Sequence, residues 1–230
     1  MGIAILTPSR ERPHECREMV AAIADTATGP VAVYIGVDDD DPSDYGPEGV
    51  RLWGGADVTV KTRRGPRAQL AEWTNRLALD ALDDNFSILG SFGDDHRPRT
   101  VGWDLAVRAA FEERGKGLVY TRDGLQDERL PTAPFWSVEI IRALGYFFPP
   151  YCKHLWADNW WRAFADALGR RHYLDDVLIE HLHPDAPNGH TYDAINAGND
   201  EHEREDRNGF YAFMDSQEYR DALDRVRAVL

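Results

Sequence analysis

Four short polar clusters, each following an apolar run, hold the side chains of this chain best suited to chemistry. They are Thr7-Pro8-Ser9-Arg10, Asp38 to Asp41, Asp94-Asp95-His96 and Glu180 to His183. The third is the most informative. Phe86 to Pro98 reads FSILGSFGDDHRP, an apolar stretch broken by two glycines and closed by two carboxylates and an imidazole. Hard oxygen ligands and one imidazole at a strand end suit a divalent cation held together with a nucleotide diphosphate. His181 and His183 are two apart on an expected strand and so share a face. A basic turn, Arg63-Arg64-Gly65-Pro66, adds the charge that an anionic ligand would need. Each cluster also has a plain alternative. Short acidic runs are commonly solvated turns, and Asp favours helix caps. The two glycines and the apolar strand ahead of Asp94 favour the ligand reading there.

Such clusters are useful only if strands bring them to one edge. Ile3 to Thr7, Val31 to Val37, part of Val50 to Val60, Phe86 to Phe92, Gly117 to Thr121 and Tyr173 to His183 read as strands. Helical spacing marks Glu15 to Ala27, a helix begun by Pro66 through Leu70, Trp73, Leu77 and Ala81, and Val101 to Glu113. Further helices are expected near Ser137 to Ala143, over Asp158 to Leu168 and over Ser216 to Val229. Asp215 with Glu218 resembles a capping box for the last. Strands alternating with helices predict an α/β fold with a mainly parallel sheet. Ligands in such sheets collect beyond the carboxyl ends of the strands, where all four clusters fall.

Composition narrows the function classes. The chain has 230 residues, 43% of them hydrophobic and 11% aromatic, enough for one sizeable core. A net charge of -14 opposes non-specific binding to nucleic acid or anionic membrane. Two cysteines, Cys16 and Cys152, form neither a metal-ligand spacing nor a disulfide framework. No apolar run approaches a membrane span, and the expectation is a cytoplasmic protein.

Read in order, ILTPSRERP, YIGVDDDDP, RRGPRAQLAEWTN, ILGSFGDDHRP and WADNWW ahead of VLIEHLHP resemble a GT-A-fold glycosyltransferase of the inverting, family 2 type. The resemblance covers roughly residues 1 to 185. It implies a Rossmann-like catalytic domain, 1–98 serving the nucleotide donor and 99–185 the acceptor. Residues 186–230, outside the resemblance, are expected to form a helical C-terminal extension packed on the same domain. It implies transfer of a sugar from a nucleotide-diphosphate donor, with a UDP-sugar favoured, to a hydroxyl of a glycan, protein, lipid or modified base.

Carried over by position, Thr7, Pro8 and Arg10 meet the base and ribose, and Asp38 or Asp39 reads the same part. Arg63, Arg64 and Arg67 meet base or diphosphate, and Asp94 lies on the donor. Asp95 and His96, with His183 or His181, hold Mn²⁺ or Mg²⁺; spacing from Asp158 favours His183. His96 replaces the usual second carboxylate, and imidazole tilts the choice toward Mn²⁺. Asp158 is the catalytic base that takes the acceptor proton. Phe135, Trp136, Trp156 and Trp160 are placed to stack on sugar faces and exclude water. The tail is placed to close over the site or to pack on a second subunit in a homo-oligomer. Two other readings remain: a non-catalytic, metal-dependent nucleotide- or sugar-binding protein, and a sugar-phosphate nucleotidyltransferase. The second normally has a Gly-rich phosphate loop with a lysine, which ILTPSRERP lacks.

Overall fold

The computed structural model describes residues 1–45, 58–191 and 194–230. Its elements follow in chain order as β1 (Ile3–Pro8), α1 (Pro13–Thr26), β2 (Val31–Asp38), β3 (Val58–Gly65), α2 (Leu70–Asp83), β4 (Ile88–Ser91) and β5 (His96–Pro98). Then come α3 (Trp103–Arg114), β6 (Leu118–Arg122), β7 (Phe135–Ser137), α4 (Val138–Leu144), α5 (Ala157–Leu168), β8 (Arg171–His181), α6 (Ala194–Met214) and α7 (Gln217–Arg227). The strands form one sheet in the order β3-β2-β1-β4-β7-β6-β8-β5. The expected mainly parallel α/β sheet is present. β7 and β5 run antiparallel to their neighbours.

β1 and β2 are apolar on both faces because helices cover both. Ile3, Ile5, Val31 and Val33 pack with Met19 and Ile23 of α1 and Val107 of α3. On the other face Ala4, Leu6 and Tyr34 pack with Leu77 of α2, Ile141 of α4, Trp160 of α5 and Val226 of α7. Gly36 lies where α2 crosses closest: a Cβ there would stand 2.7 Å from the Trp73 ring. Among the described residues no helix is long and apolar enough to cross a membrane.

Several boundaries differ from those the sequence predicts. Arg63, Arg64 and Gly65 are strand, not turn, because β3 pairs with β2 along its full length, Val58 to Gly65. Accordingly α2 starts at Leu70, not at Pro66. Of the strand expected within Val50 to Val60, residues 50–57 lie outside the described residues. The cap of α7 is Ser216, whose hydroxyl accepts from the Tyr219 amide at 3.1 Å, not Asp215. Two strands were not expected, β5 and β7; the long helix α6 falls within the helical tail expected of residues 186–230.

Candidate active site

β1, β2, β4 and β8 deliver their carboxyl ends to one cavity of about 960 Å³. At β4 the chain turns through Gly93, where a Cβ would collide with the Asp95 carboxylate and crowd the His96 ring. β5 then pairs antiparallel with β8 in a register that sets His96 opposite His181. Their rings stack with centroids 4.3 Å apart, and Phe92 stacks on the far side of His96 at 5.8 Å. Asp95 lies 3.3 Å from His96 Nδ1, which accepts from the Gly93 amide at 3.0 Å, and 3.4 Å from His181 Nε2. One ligand atom from each of Asp95, His96 and His181 lies within 4.8 Å of the others. That set of one carboxylate oxygen and two imidazole nitrogens fits a divalent cation. Two buried nitrogens of the pair, His96 Nε2 and His181 Nδ1, have no hydrogen-bond partner.

The charges follow from this packing. Burial raises the Asp95 pKa, but hydrogen bonds from His181 and His96 outweigh it and hold the carboxyl well below its usual range. Burial lowers the His181 pKa, and Asp95 more than compensates, so the ring is held above its ordinary value. Burial and the charge of His181 push His96 down. Burial, then the Asp95 charge, pushes the neighbouring Asp94 up to about 7. Asp94 accepts from the Ser9 hydroxyl at 2.7 Å and faces Arg12 Nη1 at 3.5 Å.

Asp158 lines the same cavity from the first turn of α5. The chain reaches it through Trp156, whose φ of +65° is left-handed and uncommon for a bulky residue. One carboxylate oxygen of Asp158 accepts from the Asn159 amide at 2.8 Å. Burial raises its pKa against that bond, which makes it a better proton acceptor. The segment ahead of Trp156 is held from an unexpected quarter. Asp206 of α6, with no exposed surface, accepts from the backbone amides of Lys153, His154 and Leu155 at 3.0, 2.9 and 2.8 Å.

The other predicted residues divide. Pro8, Arg10, Asp38, Arg67, Asp94, Trp156 and His183 line the cavity with Asp95, His96, Asp158 and His181. Asp38 is already committed: Arg10 donates to it at 2.8 Å, the Trp73 indole at 2.6 Å and the Ala68 amide at 3.1 Å. His183 lies beyond the end of β8, beside Asp185, and is outside the three-residue cluster, so His181 takes the place that spacing gave to His183.

Thr7, Asp39, Arg63 and Arg64 do not line the cavity. Thr7 is buried with its hydroxyl toward the Met19 sulfur. Arg63 is drawn to Asp80 of α2 at 2.6 Å, and Arg64 to the carbonyls of Asp38, Asp41 and Ser43. Phe135, Trp136 and Trp160 are core residues with no exposed surface and cannot touch an acceptor. Ser9, Arg12, Gln69, Trp73, His154, Trp161 and His202 line the cavity without having been singled out for it. Ser9, Arg12, Gln69, Trp73 and Trp161 sat inside quoted motifs; the distant residues His154 and His202 had no local signal.

A mainly parallel sheet with a cavity beyond β1, β2 and β4 and with an antiparallel β7 fits the GT-A fold expected from the sequence. Among solved structures it is similar to mannosyltransferase PcManGT of Pyrobaculum calidifontis in complex with GDP-Man and Mn²⁺. That match has a TM-score of 0.65 and 14% identity, over 97% of this chain and 68% of that one. It is also similar to TarS of S. aureus. Residues 1–349 of TarS with UDP-GlcNAc give a TM-score of 0.61 at 10% identity, over 99% and 72% of the two chains. A longer TarS chain gives 0.57 at 11%, over 80% of this chain; the present chain spans only 37% of its length. Likeness at these identities establishes the fold. No protein-family model and no curated protein matches the sequence.

Proposed function

We propose that the chain is a divalent-cation-dependent glycosyltransferase that moves a sugar from a nucleotide-diphosphate donor to a hydroxyl acceptor with inversion. The observation that carries this reading is the pairing of two unlike sites in one cavity. Asp95, His96 and His181 converge in this cavity, and the Asp158 carboxylate, near enough to feel the charge of His181, lines it with them. The solved neighbours lend support, one having GDP-Man and Mn²⁺ bound and the other UDP-GlcNAc.

The residues divide the work as follows. Asp95, His96 and His181 would hold the cation, Mn²⁺ in preference to Mg²⁺ because two ligands are imidazoles. Bound there, the ion supplies positive charge for the departing diphosphate. Pro8, Ser9, Arg10 and Arg67 border the donor end of the cavity. The acceptor hydroxyl attacks the anomeric carbon as the bond from that carbon to the phosphate oxygen breaks, and Asp158 takes the hydroxyl proton. Attack opposite the leaving group inverts the anomeric centre. The partly exposed face of Trp156 borders the acceptor and helps to exclude water, whose attack would waste the donor. UDP-sugars come first on family resemblance, with GDP-sugars beside them.

The direct test incubates the protein with UDP- and GDP-sugars and Mn²⁺ and follows release of the nucleoside diphosphate. Release that disappears with chelator is expected. Absence of both turnover and metal-dependent nucleotide binding would remove the proposal. Intact donor bound without turnover would favour a binding protein.

A further inference from the structure

Residues 154–158 form a continuous stretch of the cavity lining that ends in Asp158. The stretch turns at Trp156, whose left-handed φ of +65° costs free energy in a residue with a bulky side chain. Such a conformation persists only where its surroundings over-determine it. The surroundings here are largely α6. Asp206, fully buried, accepts from the amides of Lys153, His154 and Leu155, the three residues that lead into the turn. Gly209 then lets the helix close on Tyr151, since a Cβ there would stand 2.9 Å from that ring. Phe210 and Tyr211 set their rings 5.5 and 5.8 Å from the Trp156 ring. The Lys153 carbonyl accepts in turn from the Ala71 amide of α2 at 3.0 Å, so the segment is bonded to two helices at once.

One carboxylate thus satisfies three successive amides that would otherwise have to find partners inside the fold. Bonds from amides to an ionised carboxylate are the strong kind, and three of them hold the direction of the chain as well as its place. α5 begins at Ala157, immediately after the turn, and its later residues Trp160 and Phe164 are anchored in the core. Any loosening at residues 153–156 therefore falls on the first turn of α5, where Asp158 stands. A base is sensitive to such movement, because a misplacement of about 1 Å can cost about 10²-fold in rate.

We propose that Asp206 is a positioning residue for Asp158: through residues 153–156 it sets where that carboxylate stands in the cavity. Helix α6, outside the family resemblance, then belongs to the catalytic unit. The role of Asp158 as base rests on the glycosyltransferase reading; the link from Asp206 to Asp158 does not.

Hydrogen exchange tests the link without any activity. Asp206→Ala should speed exchange at the amides of residues 153–155, and of Asn159, which donates to Asp158, by about tenfold or more. The amides of β1 and β2 should exchange as in the wild type. Unchanged exchange at Asn159 overturns the proposal. A double-mutant cycle on nucleoside diphosphate release from UDP- and GDP-sugars with Mn²⁺ then tests the route. Asp206→Ala should slow release by about 10²-fold in the wild type but by less than about twofold in Asp158→Asn, where no base is left to misplace. Equal losses in the two backgrounds would mean a structural role alone and would also overturn it. Glu205→Ala cuts an exposed ion pair from the same helix to Lys153, 2.6 Å long, and should behave as the wild type in both measurements. An equal effect from that variant would assign the result to general docking of α6 and reject Asp206. Should Asp206→Ala fail to fold, Asp206→Asn, which keeps one acceptor oxygen, is read by the same criteria. Faster exchange at Asn159 in a protein that releases no nucleotide would support the link and remove the glycosyltransferase reading.

Discussion

Asp38 and Asp95 both end or follow a strand of the same sheet and both line the same cavity, but they are finished to different degrees. Every oxygen of Asp38 is occupied, by Arg10, the Trp73 indole and the Ala68 amide. Around Asp95 the two imidazoles leave buried nitrogens with no partner at all. A buried polar group without a partner raises the free energy of the folded state. The Asp38 corner is therefore architecture, complete without a ligand. The Asp95 corner is open, and a ligand bound there would relieve a cost the fold already bears.

The largest effect should come from the residue that shares the cavity with the unfinished corner. Asp158→Asn should lower sugar transfer by about 10²–10⁴-fold, the usual contribution of a positioned base, with nucleotide binding retained. Measured nucleoside diphosphate release equal to the wild type would sink the assignment. Next, Asp95→Ala should remove the rise in melting temperature that Mn²⁺ with UDP or GDP produces. Nucleotide affinity in Mn²⁺ should fall by at least about tenfold, since even outer partners of metal ligands cost that much. The finished corner should respond in the opposite way. Asp38→Ala strands the indole and an amide and should cost about 1–3 kcal/mol in urea denaturation, while the Mn²⁺-dependent shift persists. Were Asp38→Ala to abolish that shift at unchanged stability, the contrast between the corners would be wrong.

The smallest effect concerns pH. His154 has a folded pKa near 4 against an ordinary value of 6.5. Between those values the unfolded chain holds a proton that the folded chain does not. Stability should therefore fall as pH drops from about 6.5 to about 4 and gain no further slope from this group below that. His154→Gln should flatten this part of the profile of urea midpoints; an unchanged slope would assign the titration to another group.

The strands and the DDH cluster were legible in the sequence because each left a local mark: an apolar run, a glycine pair, a change to charge. What escaped reading depended on pairing between distant segments. His181 rather than His183 meets Asp95 because β5, three residues long and without periodicity, sets His96 opposite it. Arg63 looked like a ligand for anions because nothing in the turn-like RRGP text shows that β3 runs through it. Phe135, Trp136 and Trp160 looked suited to stacking on a sugar, but aromatic side chains serve cores and sites alike, and burial decides between them. Asp206 sits in a highly charged stretch that reads as a solvated helix. Its role exists only because Lys153, His154 and Leu155 present three amides to it.

Trp73 has an optical consequence. Its ring is pressed against Gly36, its indole N–H is fixed on Asp38, and the Arg76 guanidinium lies 5.0 Å over its face. Such an indole has one orientation and one set of neighbouring charges, and it borders the cavity. A nucleotide that drew Arg10 away from Asp38 would alter the field along the indole and shift its emission. Trp73 would then report such binding, and Trp73→Phe would identify its share of the signal.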